Sequence, residues 1–403
     1  MIRPDPLCLN TASSLLTFYI PPNLPMIPLS VPNLNGNEWR YIKECLDTNW
    51  VSSAGAFVDR FEREFAAYVG APYAVSTSNG TAALHIALLL AGVAHKNLVI
   101  VPNITFAASL NSIAYTGAEP LLIDVDAGTW QMDTPLLEEF LLQHAEMRGN
   151  TCHLRATGQV IKAIMPVHVL GNMVNMSHLM QLAQQYRITV VEDSTEALGS
   201  YYNNKHAGTF GQTGCFSFNG NKIMTTGGGG MIVTADATLA KHAKHLTTQA
   251  KTDPVEYIHD EVGYNYRLVN LLAAMGVAQL EQIPAFLTRK HQIAQRYNRA
   301  FAHLPFVQPQ VTTTGTQPNH WLYTVQVPDR RSLLAFFKGH GIETRPLWTP
   351  MNQLPMFANC RYITQNNVSG YLFERCLSLP CSTGLTTEEQ DTVINLLTDF
   401  YGN

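Results

Sequence analysis

Between positions 73 and 192, short uninterrupted apolar runs alternate with segments of helical period, and few folds accommodate that pattern. The runs at 73–76, 98–101, 120–125, 161–167 and 188–192 are too short for helices and show no in–out alternation. Such runs suit strands buried on both faces. The segments 81–90, around 105–116, 134–146 and 176–186 carry apolar residues at three-to-four spacing and read as helices. Strand and helix in strict turn predict an α/β architecture, a mostly parallel sheet flanked by helices.

Two further helices, 37–47 and 57–69, precede this pattern, with the loop from Trp50 to Gly55 between them. After Asp193 the helical alternation lapses. Short strands at 215–218 and 231–234 flank a loop holding Lys222 and the run Gly227 to Gly230. A long helical region follows at 268–303. The chain then starts again with a strand at 321–327, a helix at 331–339 and a last helix at 387–400. With 403 residues it exceeds the usual size of one core. The expected division is an N-terminal arm at 1–29, a large domain at 30–285 and a smaller C-terminal α/β domain at 286–403. Pro305, Pro309 and the run Thr312 to Gly315 supply a linker near the boundary.

Composition narrows the partners. The net charge is -4 and no basic run occurs, which argues against nucleic acid and anionic membrane surfaces. Only 14% of residues are charged, a sparse supply that points to part of the surface being covered in an oligomer. Seven scattered cysteines without a CxxC pair fit reduced thiols and a cytoplasmic protein. The early apolar run 15–20 is too short for a signal sequence and is closed by Pro21 and Pro22. The histidines show no HExxH or other metal spacing, so no metal is expected.

Several places suit chemistry. Ser78-Asn79-Gly80-Thr81 ends a strand and opens a helix, where free N–H groups and the Thr81 hydroxyl can take a phosphate. An ordinary capped turn has the same look. Glu192 and Asp193 end an apolar strand, the place where open parallel sheets bind ligands. One of these carboxylates could hold a pyridinium nitrogen; a solvated loop acid is the plainer account. Lys222, in a Gly/Asn-rich loop after an apolar strand, could be a carbonyl-reactive amine if partly desolvated, although most loop lysines are simply exposed. His168 ends the strand at 161–167 and could equally be structural, and Phe106 could stack on a flat ring or belong to the core.

In order along the chain stand SNGTAAL (78–84), PNITFAAS (102–109), LIDVD (122–126), PVHVLG (166–171), VVEDSTEALGS (190–200), FSFNGNK (216–222), TTGGGG (225–230), GYNYRL (263–268) and ETRPLW (343–348). Together they resemble the DegT/DnrJ/EryC1/StrS family of sugar aminotransferases, from about Pro28 to the C-terminus. The resemblance implies the type I fold of pyridoxal-phosphate enzymes, with pyridoxal 5'-phosphate as cofactor. It implies that Lys222 carries the cofactor covalently and shuttles the proton, that Asp193 pairs with the pyridine nitrogen and that Phe106 stacks on the ring. Gly80, Thr81 and Ser217 would hold the phosphate. Asn265 would reach the cofactor phosphate of a neighbouring subunit, so each site of a homodimer would be built from two chains. His168 occupies a family position near the cofactor.

Three letters depart from the usual family pattern: Glu196 stands where Gln is common, Asn219 where His is common, and Gly228 where Glu is common. They resemble the subgroup acting in bacillosamine and legionaminic acid synthesis, as does the stretch 36–55. The reading this favours is amination at C4 of a UDP-linked 2-acetamido-2,6-dideoxy-4-keto-hexose, with L-glutamate as donor, for a surface polysaccharide. Glu196 would lie beside the ring, Trp50 and Ser52 would line the sugar pocket, and Arg345 would meet the diphosphate. The alternatives are a GDP-perosamine synthase type of aminotransferase, whose C-terminal region is similar, and a cofactor-binding regulatory protein without turnover.

Overall fold

The structure, a computed structural model, describes residues 26–253 and 255–402. Its centre is an eight-stranded sheet. Edge to edge the strands are Tyr73–Thr77, Gly230–Thr234, Thr213–Ser217, Thr189–Asp193, Ile161–Ile164, Leu98–Pro102, Glu119–Ile123 and Arg361–Ile363. Gly230–Thr234 runs antiparallel to both of its neighbours, and every other pairing is parallel. Leu98–Pro102 and Gly230–Thr234 are buried along their whole length, as strands covered on both faces must be. The expected α/β class and flanking helices are therefore present. Helix Gly80–Leu90 shows the same logic, since it is apolar on nearly every face and buried at every position from Gly80 to Leu88 except Thr81.

The sequence reading needs several corrections. The helix expected to reach 146 stops at His144, and the chain turns at once into the hairpin Ala145–Arg148 with Thr151–Leu154. The long helical region is two helices, Asn270–Leu280 and Ile283–Phe301, bent by 59°. The second carries a proline in its first turn, where the missing N–H costs nothing and the fixed φ helps to start a new helix. Helix Ala237–Thr247 is an addition to the expected elements; Asp236 caps it by accepting from the N–H groups of Thr238 and Leu239. Among the described residues no single helix is long and apolar enough to cross a membrane.

The C-terminal part is less separate than its boundary suggests. Its own four-stranded sheet packs around Tyr297, Val325, Phe337 and Leu379. Yet Arg361–Ile363 leaves that unit and forms the edge of the large sheet beside Glu119–Ile123. The supposed linker is also pinned: Asn172 holds Val311 and Thr313, and Thr316–Gln317 pairs with Tyr201–Tyr202. Residues 1–25 of the expected arm lie outside the described residues. At its end, Ile27 is buried and paired with Ile342, so this stretch is part of the C-terminal core rather than outside it.

Asp124 is the anchor of the edge strand. Its carboxylate accepts from Thr364 Oγ1, the N–H of Val368, and both the N–H and hydroxyl of Ser369. Burial alone would push its pKa up, but the hydrogen bonds from Ser369 and Thr364 outweigh burial and hold it below the ordinary value. A depressed folded-state pKa means stability that is present above the unfolded pKa and lost as the pH falls through the folded one. Asp124→Asn is expected to cost about 2 kcal/mol at neutral pH. Urea denaturation should show the gap to wild type closing below about pH 4.

Candidate active site

Three loops meet at the carboxyl ends of the parallel strands, where α/β sheets place ligands. The first follows Tyr73–Thr77 and opens helix Gly80–Leu90. Asn79 caps this helix by accepting from Ala82 N–H at 2.8 Å. The N–H groups of Gly80 and Thr81 precede the first helical hydrogen bonds and remain available to an anion. The second loop follows Thr189–Asp193. The third follows Thr213–Ser217 and is closed where Phe218 N–H donates to the Gly229 carbonyl at 2.8 Å. Phe218 anchors this third loop by packing on Phe61 and Phe65, 5.3 and 5.4 Å between ring centres.

One cavity of about 250 Å³ lies between these loops. Its wall includes Gly80, Thr81, Phe106, Asp193, Glu196, Ser217 and Lys222, so seven of the residues singled out in the sequence come together. Asn219 and Gly228 line the same space. Trp321 and Trp348, stacked at 13° with ring centres 6.3 Å apart, close it from the C-terminal unit. The sequence reading missed both. Their only signal was an aromatic residue beside other aromatic and apolar ones, which describes core positions just as well.

The cavity is electrostatically unusual. Lys222 Nζ lies 3.7 Å from Glu196 Oε1 and 3.8 Å from the centre of the Trp321 ring. Burial lowers the Lys222 pKa, opposed by the carboxylates of Glu196 and Asp193. Burial pushes the Glu196 carboxyl up to about 7, against the pull of Lys222 and a hydrogen bond from Leu170 N–H. The amine is thus easier to deprotonate than an exposed lysine, which an attack on a carbonyl requires. Asp193 is held as an acceptor: Ser109 Oγ donates to Oδ2 and Thr195 Oγ1 to Oδ1, both at 2.7 Å.

Glu192 and Asp193 point to opposite faces of their strand, as successive residues do. Glu192 is fully committed beneath the cavity, accepting from the N–H groups of Gly208, Phe210 and Gly211 and contacting His168 Nε2 at 3.1 Å. This corrects the reading of His168 as a cofactor neighbour. Both ring nitrogens are taken, one by Glu192 and the other by Val174 N–H, and the side chain lies outside the cavity wall. Of the acid pair, Asp193 is the one left facing the cavity.

Four other expected residues also lie outside it. Trp50 is 58% exposed, and Ser52 is exposed, with its carbonyl accepting from Asn270 N–H. Arg345 is exposed and paired with Glu343 at 2.5 Å. Asn265 is exposed in a bridge to Thr248. Elsewhere, His245, Asp260 and Glu261 bring potential metal-binding atoms within 4.8 Å of one another. That group is a surface ion-pair network in which His242 and His245 already engage both acids.

The residues present fit pyridoxal phosphate. Gly80 leaves a cradle that a side chain would fill, because a Cβ there would stand 2.8 Å from Ser217 Cβ. Helix N–H groups and two hydroxyls surround that cradle, a buried acid faces the cavity for a ring nitrogen, and the half-exposed Phe106 ring stands at the rim.

A sequence model of the DegT/DnrJ/EryC1/StrS aminotransferase family matches residues 32–398. The GDP-perosamine synthase of Escherichia coli O157:H7 is 37% identical over 380 residues, covering 94% of this chain and 99% of that one. The GDP-perosamine synthase of Caulobacter vibrioides is 37% identical over 386 residues, 93% and 98% of the two chains. Among solved structures, the PLP form of Spr1654 from Streptococcus pneumoniae superposes with a TM-score of 0.83 at 26% identity, covering 92% of this chain and 97% of that one. The chain belongs to the DegT/DnrJ/EryC1/StrS aminotransferase family and is a pyridoxal-phosphate-dependent sugar aminotransferase.

Proposed function

We propose that the chain aminates C4 of a GDP-linked 4-keto-6-deoxyhexose, with L-glutamate as amino donor. The observation that carries this reading is the 37% identity, over nearly the whole of both chains, to two GDP-perosamine synthases. It displaces the UDP-acetamido sugar as the leading substrate. One feature of the cavity still favours that second reading. Asn219 and Gly228 are small wall residues, and a Cβ on Gly228 would meet only Ser78 O, at 4.0 Å, which leaves room for an acetamido group.

The geometry supports the following residue roles. When bound, pyridoxal phosphate supplies an electron sink for the carbon that loses its proton. Gly80 and Thr81 N–H groups, with the Thr81 and Ser217 hydroxyls, hold its phosphate. Asp193, fixed by Ser109 and Thr195, would pair with the ring nitrogen. Lys222 Nζ would hold the cofactor covalently and, as a free amine, would move the proton between carbons. Glu196, beside that amine, tunes how readily it holds the proton.

Asn265 is exposed and lies outside the cavity wall of its own chain. That residue follows an exposed apolar stretch, Val255, Tyr257, Ile258 and Val262, of the kind that subunit contacts cover. This supports a homodimer in which Asn265 completes the neighbour's phosphate site, and in which Trp50, Ser52 and Arg345 meet substrate from outside the cavity.

Four outcomes are expected. Lys222→Ala should abolish turnover while the circular dichroism spectrum stays native; a mutant with near wild-type activity removes the lysine from its role. Gly80→Ala should raise the dissociation constant for pyridoxal phosphate about tenfold or more, read by absorbance titration, because the new methyl occupies the cradle. Glu196→Gln removes a charge that raises the Lys222 pKa, so the rate at which cofactor-free protein captures pyridoxal phosphate should rise at lower pH than in wild type. For substrate, kcat/KM with GDP-4-keto-6-deoxymannose should exceed that with the UDP-acetamido 4-keto sugar. The reverse preference would reinstate the second reading and leave the transamination chemistry intact.

A further inference from the structure

Trp321 reaches the catalytic loop from the far side of the chain, and its position is fixed at three points. Its N–H donates to Asn319 Oδ1 at 2.7 Å. Its indole Nε1 donates to the Asn221 carbonyl, immediately before Lys222, at 2.6 Å. Its carbonyl accepts from the ammonium of Lys290 at 2.8 Å. Asn319 in turn donates through Nδ2 to the carbonyls of Glu196 and Leu198, so the same strap spans both loops that supply the cavity's charges.

Lys290 is the unusual member. It lies within helix Ile283–Phe301, is 4% exposed, and also donates to the Cys381 carbonyl at 2.7 Å and to Cys381 Sγ at 3.6 Å. Among the described residues no carboxylate lies within 4 Å of it. A buried ammonium answered by two carbonyl dipoles and a thiol, with no ion pair, is expensive to fold around. An apolar residue of equal length would fill this helix position at lower cost, and the chemistry assigned to the cavity does not use the charge. What the charge does is grip the backbone at the residue whose ring faces Lys222.

We propose that Lys290 is a positioning residue for transamination: its buried ammonium fixes Trp321, whose indole face caps Lys222 Nζ and holds the amine in the attacking position. The cap lies 3.8 Å from Nζ, within the range where a ring face attracts an ammonium. It also shields one side of the amine from water. Misplacement of a reacting group by about 1 Å costs on the order of 10²-fold in rate, so a distant residue that sets the cap has leverage. This inference rests on Lys222 being the reactive lysine.

The test is a double-mutant cycle on Lys290→Met and Trp321→Leu, with two readouts. One is the rate at which cofactor-free protein captures pyridoxal phosphate, followed by the visible absorbance of lysine-held cofactor. The other is kcat at saturating substrates. Each single variant should lose about tenfold or more in both, the double variant should be no slower than Trp321→Leu alone, and Lys290→Arg should recover most of the loss. Additive losses, or a Lys290→Met protein with wild-type rates, would show that Lys290 does not act through Trp321. Trp321→Leu with unchanged capture and kcat overturns the proposal even where the Lys290 variants fail to fold. Failure of the lysine assignment itself looks different, since Lys222→Ala would then retain activity while these variants keep the visible absorbance.

Discussion

The constraint on which this structure depends is the burial of an amine beside carboxylates in a space that must stay open. Lys222, Glu196 and Asp193 share one cavity, and burial opposes the charged forms of Lys222 and Glu196. The fold meets that cost from outside the cavity. Leu170 N–H donates to Glu196 Oε2 at 2.8 Å, while two hydroxyls hold Asp193. Asn319 holds the Glu196 carbonyl and Trp321 the Asn221 carbonyl, so the charges are kept near each other without quenching the amine in a short ion pair. The 3.7 Å separation of Lys222 and Glu196 is long for a charged hydrogen bond and leaves Nζ free to react.

Strand alternation divides the work below the cavity. Glu192 and Asp193 are adjacent in sequence, yet one serves the scaffold and the other faces the ligand. Glu192 gathers three backbone N–H groups of the turn at 208–211 and the buried ring of His168. His168 N–H donates to the Asp193 carbonyl at 3.1 Å, and Asp193 N–H donates to the Pro166 carbonyl at 2.9 Å. The backbone of Asp193 is thereby clamped between the loop that follows Ile161–Ile164 and its own strand. A carboxylate held in this way keeps its orientation whether or not a ring is present, which is the preorganisation that electrostatic catalysis needs.

The parts of this arrangement that were legible in the sequence are those encoded locally. The alternation of apolar runs with helical segments was enough for the α/β class, and the order of motifs from Ser78 to Trp348 was enough to gather seven cavity residues. What was not legible depended on long-range contacts. Nothing near Arg361 marks it as the edge of a sheet whose other strands lie more than a hundred residues earlier, apart from Asp124, whose partners Thr364 and Ser369 are known only from the fold. His168 ends a strand at the ligand-binding edge and so suited a ligand contact or a structural role equally well; in the fold Glu192 takes its ring. Trp321 carried no local signal: its place depends on Asn221, Asn319 and Lys290, none of which is close to it in sequence except Asn319. The helix at 237–247 is short and follows a glycine-rich stretch, and that setting favours a loop reading.

The separation between chemistry and specificity has a structural origin. The residues proposed to hold the cofactor lie at or just beyond the ends of the central strands, where the sheet's hydrogen bonds fix the backbone. The surfaces that would meet a sugar and its nucleotide come from elsewhere: Trp321 and Trp348 from the C-terminal unit, the exposed Trp50 and Asn265 from loops, and the exposed Arg345 from the edge strand Arg345–Pro346. Loop side chains of this kind can change without disturbing the sheet, whereas a change at Gly80 or Asp193 alters the cofactor site directly. Relatives sharing the same cofactor residues can therefore differ in the sugar they accept, and motif matches near Lys222 carry less information about substrate than similarity sustained along the whole chain. That is why three letters beside the lysine pointed toward one nucleotide sugar while the full-length comparison favours another.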